Sequence, residues 1–259
     1  MAVKYSILGV LIYAAMAVYL LAFIAGTLRQ RKAGRGLFFI AFIMSAGAFI
    51  YRWINTGHVP LQNLFEVFIA MGAAVYLLSV ICEKYLRINQ LQIDTLIGFF
   101  VLFPAGFVFS ETAKPLAPAL QSPFFIPHVA VYLSAYIIMF KAAAAAAKTF
   151  SGKTDPLQNE DSVYRLVCLG FPLLALGFIL GSIWAHYIWG RYFGFDPKEM
   201  WSLATCLVYA GYFHFRFIYG TKYPRINSLW ILAGLSLILI TLFWANLSKL
   251  FAGLHSYAL

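Results

Sequence analysis

The sequence predicts an all-α integral membrane protein of about eight transmembrane helices, with one external aromatic segment between the sixth and seventh. Three observations predict it. Of 259 residues, 63% are apolar and only 11% are charged, a balance that a soluble domain of this size does not need. The apolar residues gather into runs long enough to cross a bilayer. Short clusters rich in Lys and Arg separate those runs.

The first run, 5–28, is too long for a signal-peptide core and is read as a retained helix. A basic loop follows, with Arg29, Arg31, Lys32 and Arg35. Further helices are expected over 37–54, 61–82 and 91–109, the last with Pro104 as a potential kink. The connection 110–127 holds Pro115, Pro118, Pro123 and Pro127 and is expected to be extended and stiff. His128 opens the fifth helix, 128–147, which closes on the alanines 142–147, a thin end suited to close packing. The stretch 148–165 reads as a polar loop. Helices over 166–187, 201–219 and 229–251 complete the set.

Eight spans place the loops alternately on two sides, and one side carries 13 of the 19 Lys and Arg. That side is expected to be cytoplasmic, with both termini, the aromatic segment, His58, His128 and His255 outside. The net charge of +10 therefore reflects membrane topology and does not point to nucleic acid. Cys82, Cys168 and Cys206 form no CxxC pair and read as small buried residues.

The segment 184–201 is crowded with rings: Trp184, Tyr187, Trp189, Tyr192, Phe193, Phe195 and Trp201. Interleaved with them are His186, Arg191, Asp196, Lys198 and Glu199. This is too polar to lie unpaired in lipid and too apolar to hang free in water. It reads as a platform at the membrane surface for a flat, amphipathic ligand, the rings supplying stacking area and the charges meeting an ionised rim. An aromatic belt without a ligand is the alternative.

Of five histidines, His128 and His255 stand at the same expected depth around this platform. Two imidazoles offered from opposite edges are the usual axial ligands of low-spin haem iron, and haem also matches a platform with cationic neighbours. Each could equally serve as an interfacial hydrogen-bonding residue. His214 is expected about 20 Å down the seventh helix from Trp201, deep enough to be a functional candidate. No second histidine lies at that depth, so an iron held there needs its other ligand from another subunit. His58, in a Gly/Pro turn, and His186 read as hydrogen-bonding or surface residues.

The run Trp189-Gly190-Arg191-Tyr192-Phe193-Gly194-Phe195-Asp196-Pro197-Lys198-Glu199, followed by Trp201-Ser202-Leu203, resembles the tryptophan-rich "WWD" signature of haem-handling proteins of cytochrome c maturation. The resemblance is to the CcsA (ResC) type rather than CcmC or CcmF. Three more stretches carry it: Gly57-His58-Val59-Pro60-Leu61 leading to Asn63 and Glu66, Pro127-His128-Val129, and Gly253-Leu254-His255-Ser256-Tyr257. It implies that His128 and His255 are external ligands of haem b iron, and that His214 is a transmembrane ligand whose partner lies in a CcsB (ResB) type subunit. Phe193 and Phe195 stand where the signature commonly has tryptophan; the stacking face is kept and the indole N–H is lost.

The resemblance implies half of a membrane cytochrome c synthase, which joins haem to the CxxCH thiols of apocytochrome c. Arg52, Arg191 or Lys198 are expected to pair with the propionates. Asp196 and Glu199 are expected to order the platform by pairing with Lys198 and Arg191. No residue is expected to act as acid, base or nucleophile. Expected partners are the CcsB-type subunit, the apocytochrome and a thiol-reducing thioredoxin-like protein. The expected location is a bacterial inner membrane or, alternatively, a plastid thylakoid. Two other classes remain open: a haem chaperone or exporter without ligation activity, and a b-type electron-transfer subunit.

Overall fold

The structure is a computed structural model and describes residues 3–151 and 156–244. His255 and the terminal Gly-Leu-His-Ser stretch lie outside the described residues. Eight long α-helices follow in order among those described: α1 Ile7–Thr27, α2 Arg31–Thr56, α3 Leu64–Leu86, α4 Leu91–Phe107, α5 Phe125–Lys148, α6 Pro156–Trp189, α7 Pro197–Tyr219 and α8 Pro224–Leu239. A single π-helical turn, Ile240–Trp244, continues α8. No strand occurs among the described residues. Six of the helices are long and apolar enough to span a membrane. The other two are α4, which has 17 residues, and α7, which carries Lys198, Glu199, His214 and Arg216.

Five helices, α2, α5, α6, α7 and α8, begin earlier than their apolar runs. Arg31, Lys32 and Arg35, expected in a loop, lie in the first turns of α2, while Arg29 stays in the turn before it, and about half of the polar loop 148–165 belongs to α6. Lys, Arg, Glu and Gln are good helix formers, so hydropathy marks where lipid-facing surface stops and not where the helix stops. Likewise α7 starts at Pro197, with Asp196 as its N-cap, so Lys198, Glu199 and Trp201 are helical. The 110–127 connection is largely irregular, broken by one 3₁₀ turn over Pro118–Leu120.

The helices form two compact units, residues 1–121 and 122–259. In the first, glycines admit large side chains between helices. The Tyr19 ring of α1 lies where a Cβ on Gly98 would be 2.5 Å away, and its hydroxyl donates to the Gly72 carbonyl at 2.9 Å. Arg52, 4% exposed, donates through Nε and Nη2 to Glu66 Oε1 at 3.0 and 2.8 Å. It also donates through Nη1 to the Glu111 carbonyl at 2.7 Å. The second Glu66 oxygen accepts from the Gln62 N–H at 2.9 Å. This network ties the end of α2 to the start of α3 and to the connection after α4.

In the second unit, α5 and α6 run antiparallel in close register. Gly170 faces Met139, Gly177 faces Tyr132 and Gly181 faces His128; one turn on, Trp184 meets Phe125. Each step along α6 is matched by an equal step back along α5. Ala142, Ala143, Ala145 and Ala146 are buried at the far end of α5. Helices α7 and α8 interlock in the same way, Tyr209 against Gly234 and Trp230 against Gly211. This packing brings the start of α5, the end of α6 and the start of α7 to one end of the unit.

Candidate haem-handling site

His128 lies in the first turn of α5, half-buried. Its Nδ1 is 2.8 Å from the Gly177 carbonyl oxygen. A carbonyl only accepts, so Nδ1 carries the proton and Nε2 carries the lone pair, the form of imidazole that ligates iron. The ring stacks on Trp184 with centroids 5.8 Å apart and an interplanar angle of 22°. The Tyr132 ring meets it edge-on at 5.1 Å. Room for the imidazole comes from Gly181, where an added Cβ would lie 2.5 Å from His128 Cε1.

Trp184 is 2% exposed. It backs the imidazole and is packed by Phe125 at 6.1 Å and Trp189 at 5.0 Å. Beyond Trp189 the chain reverses at Gly190, whose φ of 73° lies in the left-handed region that glycine accepts. It then runs back along a face of α6 that presents Phe178, Ser182 and His186 at helical spacing. Tyr192 stacks on His186 at 4.1 Å and 10°. Ser182 Oγ donates to the Tyr192 carbonyl at 2.6 Å. Phe193 packs near Phe178, centroids 6.3 Å apart.

Phe195 differs from its neighbours. It is 76% exposed and has φ of 55°, a conformation that costs a bulky residue about 1–2 kcal/mol. The strain is held by a capping box. Asp196 accepts from the Lys198 N–H at 2.9 Å. Glu199 Oε2 accepts from the Gly194 N–H at 2.6 Å and from the Asp196 N–H at 3.2 Å. The expected pairing of Glu199 with Arg191 gives way to these backbone bonds, because α7 begins early enough to place Glu199 at N3. Burial lowers the Lys198 ammonium from 10.5 to about 8, and the Asp196 charge opposes the shift. Arg191 is exposed and its Nε lies 3.0 Å from the position of a Cβ on Gly194.

Arg52 belongs to the first unit, where Glu66 and the Glu111 carbonyl engage it. Trp201, in the first turns of α7, is half-buried. His214, expected to be buried, is exposed on the outer face of α7. It lines a groove of about 510 Å³ together with Tyr164, Ala210, Phe213, Arg216 and Phe217. That face belongs to this unit's surface because α7 packs on α8 through Tyr209 and Gly211. Gly177, Gly181, Ser182, Tyr132, Tyr164 and Arg216 were not singled out from the sequence. The four-residue spacing of Gly177 and Gly181 on one helix face is the signal that could have found the first two.

The chemistry of the donor set suits haem. It offers one imidazole with its tautomer set, a second at the surface in an aromatic groove, exposed rings, and cations beside them. No group of three or more His, Cys, Asp or Glu able to hold a bare metal ion occurs among the described residues.

Fold and site together define a multi-pass helical membrane protein with an imidazole-anchored aromatic segment between two helices. The cytochrome c assembly protein family matches residues 37–252. Among curated relatives, the cytochrome c biogenesis protein CcsA of Guillardia theta is 32% identical over 250 residues, 80% of this chain and 79% of the relative. That of Synechococcus sp. (strain CC9605) is 30% identical over 270 residues, 88% of each. That of Chlamydomonas reinhardtii is 31% identical over 229 residues, 80% of this chain and 63% of that longer relative. The chain belongs to the cytochrome c assembly family and is a CcsA-type, haem-handling cytochrome c biogenesis subunit.

Proposed function

We propose that this chain is the haem-presenting half of a two-subunit cytochrome c synthase, working with a CcsB-type partner on an apocytochrome bearing CxxCH. The observation that carries the reading is His128: its proton is fixed on Nδ1 by the Gly177 carbonyl, and its ring is stacked on the buried Trp184 of the aromatic segment. Haem b is the substrate. His128 and His255 hold its iron, the exposed rings of Tyr192 and Phe195 with the half-buried Phe193 cover one face or edge, and Arg191 or Lys198 meets a propionate. His214 ligates a second haem whose other axial ligand comes from the partner subunit. By the charge bias of the loops, the aromatic segment faces outward from a bacterial inner membrane or into a thylakoid lumen.

Each thioether forms when a cysteine S–H adds across a haem vinyl C=C. The sulfur bonds one carbon, the proton ends on the other, and no electrons are exchanged with an outside reagent. The thiols must enter reduced, which is the role of a thioredoxin-like protein. The chain supplies position and shielding and has no acid, base or nucleophile in this step.

The test is the absorption spectrum of the protein purified with its companion subunit, for wild type, His128→Ala, His255→Ala and His214→Ala. Expected are a low-spin haem spectrum in wild type, its weakening in each variant, and recovery of the His128→Ala and His255→Ala spectra with added imidazole. Unchanged haem content in both of those variants would sink the external site. Haem bound with no thioether product on co-expression with the partner and apocytochrome would favour a chaperone.

A further inference from the structure

The groove beside His214 has an internal polarity. Ala210, Phe213, His214 and Phe217 recur at three- and four-residue spacing and share one face of α7. One turn before His214, Ala210 offers only a methyl group, which leaves space beside the imidazole. Phe213 is packed edge-on by Phe171 of α6 at 5.4 Å and Tyr164 at 6.1 Å, which steadies that wall. An apolar stretch extends from His214 past Ala210 toward the aromatic-segment end of the helix, and Phe217 adds a ring on the other side, next to Arg216.

The opposite end is cationic and held still. The Arg216 guanidinium carbon lies 4.1 Å from the Tyr164 ring centroid. Its Nη1 donates to Glu160 Oε1, which also accepts from Asn227 Nδ2. Asn227 Nδ2 is in turn 3.1 Å from the Gly220 carbonyl. Glu160 is 2% exposed and the Arg216 side chain 15% exposed. A guanidinium has five N–H donors in a fixed fork, and Glu160 Oε1 engages Nη1. Arg216 is also one of the residues that line the groove. A planar ligand with one apolar edge and one carboxylate edge, ligated by His214, can be placed well in only one direction.

The geometry points to Arg216, fixed by Glu160 and Tyr164, as the residue that receives a propionate of the haem at His214, turning the propionate edge toward the Tyr219 end of α7 and the vinyl edge toward Ala210. This rests on the reading of His214 as a haem ligand. Arg216 is a positioning residue in it: it contacts the ligand's rim and sets the direction in which the vinyl groups point. A phospholipid phosphate shares the anionic chemistry but lacks the porphyrin, and the test separates the two.

The experiment uses the complex with its companion subunit in a His128→Ala background, which removes the other proposed haem. Apoprotein is titrated with haem and with its propionate dimethyl ester, followed by the low-spin absorption bands. The wild-type Arg216 protein is expected to bind haem at least about tenfold tighter than the ester. Removing Arg216 alone would leave Glu160 buried without its cation, so the informative variant is Glu160→Gln with Arg216→Gln. It is expected to bind both porphyrins alike, within about twofold, with its low-spin spectrum kept. Glu160→Gln alone, which keeps the guanidinium, is expected to retain the discrimination. If the double variant still prefers haem as strongly as wild type, Arg216 does not receive the propionate. The same result follows if wild type binds haem and ester alike, and the cation then serves the fold or a lipid phosphate. His214→Gly tests the underlying reading separately: full haem retention there would remove His214 as a ligand whatever the ester titration shows.

Discussion

The Cβ that Gly181 lacks is the space that His128 occupies. An alanine at 181 would put a carbon 2.5 Å from the imidazole Cε1, and neither partner can yield easily. The ring is bonded to the Gly177 carbonyl at one edge and stacked on Trp184 by its face. The position of a proposed iron ligand on α5 is thus decided by the absence of atoms on α6.

Gly181→Ala is therefore expected to displace the imidazole. The cost is about 1–3 kcal/mol of stability from overpacking, with loss of the external site's share of the low-spin haem signal. Gly47→Ala is the control, since nothing lies within 4 Å of a Cβ there. The check is haem content per chain alongside thermal unfolding. Equal haem content in Gly181→Ala and Gly47→Ala would count against His128 as a ligand.

Phe195 separates binding from folding. Its ring is mostly exposed while its backbone is left-handed, so the fold gains little from it. Phe195→Gly relieves the strain and adds disorder to the unfolded chain, and stability is expected to stay within about 1 kcal/mol of wild type. Haem retention at the external site is expected to fall. Spectra of the two proteins at matched folded fraction decide it; unchanged retention would mean that this ring covers no ligand.

Lys198 gives the protein a pH signature. Its folded value is about 8 against an ordinary 10.5. Between those values the unfolded chain binds more protons than the folded one, so stability rises with pH across that window, and below about 8 the full cost of the buried charge is present. In ligand-free protein the thermal midpoint is expected to climb from pH 8 toward pH 10 in wild type. Lys198→Met is expected to show a smaller climb. Asp196→Asn keeps the helix cap but removes the opposing charge, and is expected to move the climb to lower pH. Identical pH profiles for wild type and Lys198→Met would show that this ammonium is solvated.

In the first unit, Arg52 and Glu66 test the buried network. Glu66→Ala leaves a buried guanidinium without its carboxylate and is expected to cost about 3–5 kcal/mol. Arg52→Met with Glu66→Met is expected to recover part of that loss. Unfolding in detergent by a denaturant titration measures both; equal losses in the single and double variants would show that the pair carries no coupling.

The sequence by itself determined the class, the number of long helices and the identity of the aromatic segment. Apolar runs longer than a bilayer is thick, interrupted by cationic clusters, have few alternatives to membrane helices. The helix starts were less legible, because the first turns of α2, α6 and α7 are polar yet helical, and hydropathy registers lipid contact alone. His128, His214 and the rings could be picked out by type, since such groups at those positions are unusual.

Only the tertiary structure decided what each of them touches. That Nδ1 of His128 carries the proton depends on a carbonyl 49 residues away. That Trp184 backs the imidazole, while Phe195 faces outward, depends on the α5–α6 register and on a reversal at Gly190. That His214 shares a groove with Arg216 and Tyr164 depends on which face α7 turns toward α8. Helical periodicity places a side chain on a face of its own helix. Which neighbour meets that face is set by interlocking glycines and rings across pairs of helices, and that information is spread over residues distant in the chain.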